Sequence, residues 1–271
     1  MKLAASGKGG VGKTTLIAAL ARLLCDEGRE VFAIDADPAS NLAQALGDRS
    51  SGPITPLAQM RELIAERTGA SLEGYGQFFK LNPHVDDIPD AYSRDVDGVK
   101  LLVLGAVHKP GGGCYCPENV FLKSLLSNLV LRRNEAVLID LEAGIEHLGR
   151  ATTQGIDAMV VVVEPSLRSI GTARAIGGLA RELGVRRVLA VANKVANERQ
   201  EELIRRELAA AGGEGHLPLA AVLRYHEELL EADLTGEAVY RACPALLLEV
   251  ADLLGCLAED GDGGQVKGSA G

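Results

Sequence analysis

Short apolar runs alternate with longer amphipathic stretches along almost the whole chain. Runs such as MVVVVE and RRVLAVAN are apolar throughout, which is typical of strands buried on both faces of a parallel sheet. The pattern predicts strands at residues 2–6, 30–35, 100–105, 136–140, 158–164, 187–192 and 217–223. It predicts helices at residues 13–27, 118–132, 166–183, 198–210 and 242–256. This alternation predicts a single α/β domain in which helices flank a doubly wound, mainly parallel sheet.

Two regions break the alternation. Residues 48–98 contain the turn signals SSGP, TP, NP and IPD around short helical pieces. We interpret them as an irregular insertion that serves as a partner surface or as a packing cover. Residues 258–271 are rich in glycine, which is typical of a disordered tail. The predicted P-loop domain described below therefore spans residues 1–257.

Composition excludes several classes of protein. The 271 residues are 47% hydrophobic and 24% charged, a balance that excludes a disordered chain. Lys+Arg 28 against Asp+Glu 37 gives a net charge of -9, which argues against binding to nucleic acid or to an anionic membrane surface. No apolar run approaches the roughly 20 residues of a membrane span, and the N-terminal apolar stretch is too short for a signal peptide. We therefore expect a cytoplasmic protein without nucleic-acid or membrane partners.

A glycine-rich loop, GKGGVGKTT at residues 7–15, directly follows the first predicted strand. Its glycines also match the G-x-G-x-x-G pattern of dinucleotide-binding folds, which require no lysine or threonine at the end of the loop. A P-loop does require them, because the lysine reaches the β- and γ-phosphates and the hydroxyl holds Mg²⁺. Lys13 and Thr14 therefore favour the P-loop. The residues expected to contact the nucleotide are Gly9, Gly10, Val11, Gly12, Lys13, Thr14 and Thr15.

Carboxylates end two other predicted strands: Asp35 and Asp37 in AIDADP, and Asp140 in AVLID. In a parallel sheet these strand ends lie beside the P-loop, where a carboxylate can hold Mg²⁺ through water or orient the attacking water. We expect Asp140 to accept hydrogen bonds from the water shell of Mg²⁺, as in a Walker B motif. Asp35 is expected near the same ion, with helix capping as its alternative role. A GTPase would carry an aspartate two residues after Lys194, but position 196 is alanine, which favours ATP.

A pair of cysteines, Cys114 and Cys116, lies in the segment GGGCYCPEN after the third predicted strand. In an extended segment the two thiols point to opposite sides, so one loop alone is a poor chelate. Two copies facing each other across a dimer axis would supply four thiolates, which suit tetrahedral Zn²⁺ and can also hold Ni²⁺. The alternative is a pair of reduced loop thiols. Cys25, Cys243 and Cys256 fall in helix-like apolar patterns, and we expect them in the core.

Lys8, directly after the first glycine of the loop, is the feature by which the chain resembles the deviant Walker A ATPases. That group includes the nitrogenase iron protein and the septum-site, partition, arsenite and tail-anchored-protein ATPases. The resemblance implies that Lys8 reaches across a dimer interface to the partner's nucleotide, as an arginine finger does. It also implies that Asp37 positions the attacking water and that Asn193 reads the adenine ring. The alternative for Lys8 is a solvated loop lysine.

Four segments together carry a closer resemblance: GKGGVGKTT, AIDADP with Asn41, GGGCYCPEN and DLEAGIEHLGR. They are similar to the nickel-insertion ATPases of the CooC type, which mature carbon monoxide dehydrogenase. The resemblance covers residues 1–257 and implies a homodimer that binds one metal ion through Cys114 and Cys116 of both subunits. It implies that ATP turnover to ADP is coupled to nickel delivery into the client enzyme. The alternative is a nucleotide-switched dimeric scaffold, of the partition or septum-site type, with incidental cysteines.

Overall fold

The computed structural model describes residues 1–37, 41–50, 52–71, 78–105, 116–133, 135–142, 150–210 and 216–259. The strands in these ranges are β1 (Lys2–Ser6), β2 (Val31–Ala36), β3 (Arg94–Val96), β4 (Val99–Val103), β5 (Ala136–Leu141), β6 (Ala158–Val163), β7 (Val188–Val195) and β8 (Leu219–Arg224). They form one sheet in the order β3-β4-β2-β5-β1-β6-β7-β8. Every pairing is parallel except that of β3 with β4. The predicted α/β fold with a mainly parallel sheet is therefore confirmed.

Helices connect the strands and cover the sheet. In the described ranges they are α1 (Lys13–Asp26), α2 (Leu42–Ala45), α3 (Arg61–Thr68), α4 (Ile88–Tyr92), α5 (Pro117–Arg132), α6 (Arg150–Gln154), α7 (Leu167–Glu182), α8 (Glu198–Ala210), α9 (Glu228–Thr235), α10 (Val239–Ala242) and α11 (Pro244–Glu259). A short 3₁₀ helix, Leu57–Gln59, precedes α3. None of the described helices is both long and apolar enough to cross a membrane.

The sheet is buried on both faces because its central strands are apolar on both sides. Along β5, Val137 and Ile139 point into one hydrophobic cluster, to which α3, α5, α7 and α8 contribute. Leu138 points into the opposite cluster, which contains residues of α1, α2, α10 and α11. Successive side chains of a strand point to opposite faces, so a continuously apolar strand needs helices on both. β1 lies near the middle of this sheet, which places the loop that follows it at the centre of one edge.

The described part of residues 48–98 contains short helical pieces, as expected, and also an edge strand, β3, that was not predicted. β3 pairs antiparallel with β4 through a two-residue turn at Asp97 and Gly98, where φ is 53° and 83°. An Asp-Gly pair is a typical sequence for such a tight hairpin turn. Leu57 and Leu63 are buried in the same cluster as α5, against which α3 packs. The described part of this segment is therefore a packing cover that ends in an edge strand.

The C-terminal region also differs from the sequence expectation. The apolar pattern did not predict α9, whose Leu230 and Leu234 are 58% and 82% exposed and so form no buried stripe. The last helix starts at Pro244, two residues later than expected, and reaches Glu259. Cys243 is therefore a buried residue just before the helix, whereas Cys25 and Cys256 are half-buried on helices. Residues 260–271 of the expected tail lie outside the described residues.

A polar contact fastens α10 to the hairpin between β3 and β4. The Tyr240 hydroxyl lies 2.6 Å from Asp97 Oδ2 and 3.0 Å from the carbonyl oxygen of Leu46, while Arg241 pairs with the same carboxylate. Burial and the neighbouring carboxylate raise the pKa of Tyr240. The phenol is therefore a donor at all physiological pH values and joins three separate segments of the chain.

We predict that Tyr240→Phe lowers the free energy of unfolding by about 1–3 kcal/mol, because it removes the one hydroxyl proton that the Asp97 carboxylate and the Leu46 carbonyl share at a buried position. Urea unfolding followed by circular dichroism measures this change. Tyr225→Phe is the matched control, since Tyr225 is 46% exposed and its hydroxyl makes no contact of this kind in the described residues. Equal destabilisation by the two substitutions would contradict the assignment.

Candidate nucleotide-binding site

The candidate site lies at the carboxyl edge of the sheet, where several strand ends meet. β1 is flanked by β5 and β6, and β5 is flanked in turn by β2, all parallel. The loop after β1 therefore lies beside Asp35 of β2, Asp140 of β5 and the residue that follows β6, Glu164. Crevices outside the carboxyl ends of parallel strands are the usual ligand sites of open α/β sheets. The fold thus brings most of the predicted site residues to one place.

The loop itself, residues 7–12, connects β1 to the first turn of α1 and passes close to neighbouring strands. Gly12 has φ 96°, and a Cβ built on it would lie 2.1 Å from Asn193 Nδ2. A Cβ on Gly7 would lie 2.6 Å from the backbone oxygen of Val162. Both positions therefore require glycine, for conformation at Gly12 and for space at both. Gly9 and Gly10 are exposed, Val11 is buried, and Thr15 lies half-buried in the first turn of α1.

The end of β7 holds this loop through hydrogen bonds from two side chains. Asn193 is buried; its Nδ2 donates to the Val11 carbonyl at 2.8 Å, and its Oδ1 accepts from the Lys194 amide at 2.9 Å. Lys194, which has φ 59°, donates from Nζ to the Gly10 carbonyl at 2.6 Å. Sequence reasoning gave no role to Lys194, because nothing in the pattern of β7 indicates a contact 184 residues away. The expected contact of Asn193 with adenine stays a prediction. The structure shows in addition that Asn193 holds the P-loop in place through its hydrogen bond to Val11.

Thr14 and Asp140 are in direct contact. The Thr14 hydroxyl donates to Asp140 Oδ2 at 2.6 Å. Asp140 is 1% exposed, and burial raises its pKa to about 7. Its other oxygen, Oδ1, is buried without a hydrogen-bond partner among the described residues. A buried carboxylate oxygen without a donor is costly, and a cation or its water shell satisfies it. Hydroxyl and carboxylate oxygens are the donors that Mg²⁺ prefers, so this pair fits the expected ion.

Asp35 lies near the end of β2, and Asp37 directly follows the strand. Asp35 is fully buried, and its two oxygens accept the backbone N–H groups of Asp37 (3.2 Å) and Leu42 (3.0 Å). Leu42 is the first residue of α2, whose N-cap is Asn41, so Asp35 accepts from the start of this helix without being its N-cap, and its expected place near Mg²⁺ stays a prediction. Asp37 Oδ2 lies 3.8 Å from the ammonium nitrogen of Lys13, which is only 5% exposed. Asp35 thus shapes the turn that brings Asp37 to the P-loop lysine.

Lys8 pairs with an acidic residue at the end of the neighbouring strand β6. Its ammonium nitrogen lies 3.7 Å from Glu164 Oε1, and the two side chains are 39% and 30% exposed. Glu164 was missed as a site residue, although it ends the predicted strand at residues 158–164 as Asp35 and Asp140 end theirs. Ser6, also missed, donates from Oγ to the Glu142 carbonyl at 3.1 Å and joins β1 to the loop after β5. An exposed pair such as Lys8–Glu164 is worth about 1 kcal/mol or less, so it releases the lysine easily.

The described part of the cysteine pair lies at the start of α5. Cys116 is the N-cap of this 16-residue helix, and its sulfur accepts from the Asn119 amide at 3.5 Å. Pro117 follows at the first helical position, which fixes where the helix begins. A helix N-terminus stabilises a thiolate, which is the form that binds metal. Cys114 lies outside the described residues, as do residues 143–149 of the loop after β5.

We predict that Gly12→Ala weakens ADP binding at least about tenfold, because a left-handed backbone costs a non-glycine residue about 1–2 kcal/mol before the clash with Asn193 is counted. Isothermal titration with Mg-ADP measures it. Gly9→Ala is the matched control, since a Cβ there meets nothing within 4 Å. Unchanged affinity for Gly12→Ala would contradict the described loop conformation.

Comparisons with known proteins agree with this geometry. The model of the CobQ/CobB/MinD/ParA nucleotide binding domain matches residues 2–239. The carbon monoxide dehydrogenase accessory protein CooC of Rhodospirillum rubrum is 51% identical over 200 residues, which are 73% of this chain and 75% of that protein. An uncharacterised ATP-binding protein of Methanocaldococcus jannaschii is 40% identical over 242 residues, 88% of this chain and 91% of that protein.

Solved structures share the fold at low sequence identity. The MinC:MinD cell division protein complex of Aquifex aeolicus has a TM-score of 0.67 at 18% identity, covering 98% of this chain and 97% of that chain. The septum site-determining protein MinD of Pyrococcus horikoshii, solved with Mg-ADP, has a TM-score of 0.60 at 22% identity, covering 97% and 96%. The chain therefore belongs to the CobQ/CobB/MinD/ParA family of P-loop ATPases, as a member of the CooC type.

Proposed function

We propose that the protein is an ATP-hydrolysing metallochaperone that binds nickel between two subunits and assists its insertion into carbon monoxide dehydrogenase. The observation that carries the proposal is Cys116 at the N-terminus of α5, in a Cys-x-Cys-Pro segment that follows β4 at the edge of the sheet where the P-loop lies. The 51% identity to an accessory protein of carbon monoxide dehydrogenase supports the same client.

Nucleotide binding in this proposal completes the polar contacts of the P-loop. The backbone N–H groups of the loop and the start of α1 face the phosphates, since a helix N-terminus attracts anions. Mg²⁺, held by the Thr14 hydroxyl and the Asp140 carboxylate through water, supplies neutralisation of phosphate charge. Thr14 has its hydroxyl 2.6 Å from Asp140, so the two oxygens are already placed on the same side of the loop.

Lys13 and Asp37 act as an exchangeable pair. Their polar atoms lie 3.8 Å apart at a site where Lys13 is almost fully buried. A phosphate that enters the loop takes over Lys13, because a charge-assisted hydrogen bond to phosphate is stronger than a contact at this distance. Asp37 then turns toward the γ-phosphate and orients the attacking water. Asp35 limits this movement, since it holds the backbone of the turn at Asp37 and Leu42.

Lys8 contributes to the partner's site. Its contact with Glu164 is weak and half-exposed, so the ammonium group is available to a second subunit without breaking a strong interaction. In a closed dimer the lysine neutralises charge that develops on the transferring phosphoryl group, which for comparable arginine fingers is worth about 10³–10⁵ in rate. Closure also brings the two Cys114/Cys116 segments together, and opening after hydrolysis separates the four thiolates and releases the ion to the client.

We predict that Lys8→Ala lowers ATP turnover at least about 10³-fold, because the transition-state charge loses its second cation. The affinity of this variant for ATP stays within about fivefold of the wild-type value, since the lost contact between Lys8 and Glu164 is worth about 1 kcal/mol or less. Phosphate release and equilibrium binding of a slowly hydrolysed ATP analogue measure the two effects. Lys80→Ala removes an exposed lysine outside the loop and serves as the control. Comparable losses of turnover and binding would contradict the role in trans.

We predict that wild-type protein, incubated with the ATP analogue and Ni²⁺, holds one more nickel ion per dimer than Cys116→Ser does. The reason is that the shared site loses two of its four thiolates in that variant. Metal analysis combined with size-exclusion chromatography and light scattering gives the stoichiometry and the oligomeric state together. Cys25→Ser, which changes a half-buried thiol on α1, is the matched control. A nucleotide-dependent dimer with no nickel that depends on Cys116 would favour the scaffold function instead.

A further inference from the structure

A second group of metal-binding side chains lies at the far end of the sheet, in the connection that follows β8. His226, Glu228 and Cys243 each offer one ligand atom, and these atoms all lie within 4.8 Å of one another. The three residues come from three elements: the loop after β8, the first turn of α9, and the position just before α11. Residues brought together from separate elements form a ligand set only through the tertiary fold, which no local sequence pattern indicates.

The spacing suits a small tetrahedral ion. Bonds of about 2.0–2.3 Å place two ligand atoms of such an ion about 3.3–3.8 Å apart. Separations of up to 4.8 Å therefore close by movements of about 1 Å. Glu228 is exposed and can make this movement, whereas Cys243 is 3% exposed and fixed in the core. One imidazole, one carboxylate and one thiolate are the mixed N, O and S donors that Zn²⁺ and similar divalent ions accept.

The histidine is already oriented by a carboxylate. His226 Nε2 lies 3.1 Å from Glu249 Oε1, and the other oxygen of Glu249 accepts the backbone N–H of Arg224 at 2.9 Å. Glu249 therefore has a fixed position on α11, and it favours the tautomer that carries hydrogen on Nε2. The remaining ring nitrogen, Nδ1, is then the acceptor. Histidines that bind metals are held in this way by a carboxylate on the other nitrogen.

The sulfur of Cys243 is close to the N-terminus of a long helix. Burial, with Glu228 and Glu249 nearby, raises the pKa of the Cys243 thiol, while the backbone N–H groups of Leu246 and Ala245 stabilise its thiolate. Without a cation the thiol therefore keeps its proton.

We propose that His226, Glu228 and Cys243 form a second metal site in each protomer, which takes a divalent ion of the Zn²⁺ type, with Glu249 as a positioning residue behind His226. Water occupies the fourth coordination position on the exposed side of Glu228. The site needs no dimer and no nucleotide, because a single chain supplies the three protein ligands. It is therefore separate from the shared Cys114/Cys116 site, and either can exist without the other.

The test uses full-length protein in which Cys114 and Cys116 are both changed to serine, without nucleotide. We expect equilibrium dialysis to give one Zn²⁺ per monomer, and Co²⁺ to produce the absorption of a thiolate-bound tetrahedral ion. Adding Cys243→Ser abolishes the Co²⁺–thiolate absorption. Adding Glu249→Gln weakens Zn²⁺ binding about 10- to 100-fold, as expected for loss of the carboxylate behind a ligating histidine.

Cys256→Ser in the same background is the matched control, because Cys256 is a half-buried thiol on the same helix and outside the cluster. It should leave the Zn²⁺ stoichiometry and the Co²⁺ absorption unchanged. Should Cys243→Ser fail to fold, His226→Gln removes a half-buried ligand and should abolish stoichiometric binding by itself. Absence of Zn²⁺ from the double-serine background, or equal binding after His226→Gln, would overturn the proposal and leave only the hydrogen bond between His226 and Glu249.

Discussion

Burial of charge at the edge of an apolar sheet is the constraint on which the rest of this structure depends. Lys13, Asp35 and Asp140 are 5%, 0% and 1% exposed. Removing an ionised group from water costs several kcal/mol unless hydrogen bonds or opposite charges offset it. Asp35 is offset by two backbone N–H groups, Lys13 faces Asp37, and Asp140 has the Thr14 hydroxyl on one oxygen only. Among these described side chains, Asp140 Oδ1 is thus the atom whose burial is not offset.

This imbalance divides the site into a fixed part and an adjustable part. The P-loop is fixed, because Asn193 and Lys194 hold two of its carbonyl groups, while Gly7 and Gly12 fit against β6 and β7 with no room for a side chain. Lys13 and Asp37 are adjustable, because their contact is long and, in the proposed function, a phosphate replaces it. A ligand that brings both phosphate and a cation satisfies the buried groups of the folded state alone, and so stabilises it. Nucleotide chemistry and domain stability are therefore linked through the same few side chains.

Much of this arrangement could be predicted from the sequence, for physical reasons that differ between elements. The central strands were predictable because burial on both faces requires uninterrupted apolar runs, and the P-loop because its backbone needs glycines at fixed spacing. Contacts between distant segments were not predictable. The hydrogen bond from Asn193 to the Val11 carbonyl, for example, depends on the pairing of β7 with β6 and of β6 with β1. α9 was not predicted, because Leu230 and Leu234 are exposed and so give the helix no buried apolar stripe. The β3–β4 hairpin was missed although its Asp-Gly turn is a recognised signal.

Two Cys-Pro pairs show how similar local chemistry leads to different sites. Cys116-Pro117 and Cys243-Pro244 each place a sulfur at the N-terminus of a 16-residue helix, where proline fixes the helix start and the backbone N–H groups stabilise a thiolate. Cys116 is half-buried, and in the proposed function its sulfur meets a second subunit and exchanges an ion. Cys243 is buried beside a histidine that a carboxylate already orients. Exposure of a thiolate favours transfer of the ion that it binds, and burial favours retention of that ion. In the two proposed sites, Cys116 is therefore suited to a transferable ion and Cys243 to a resident one.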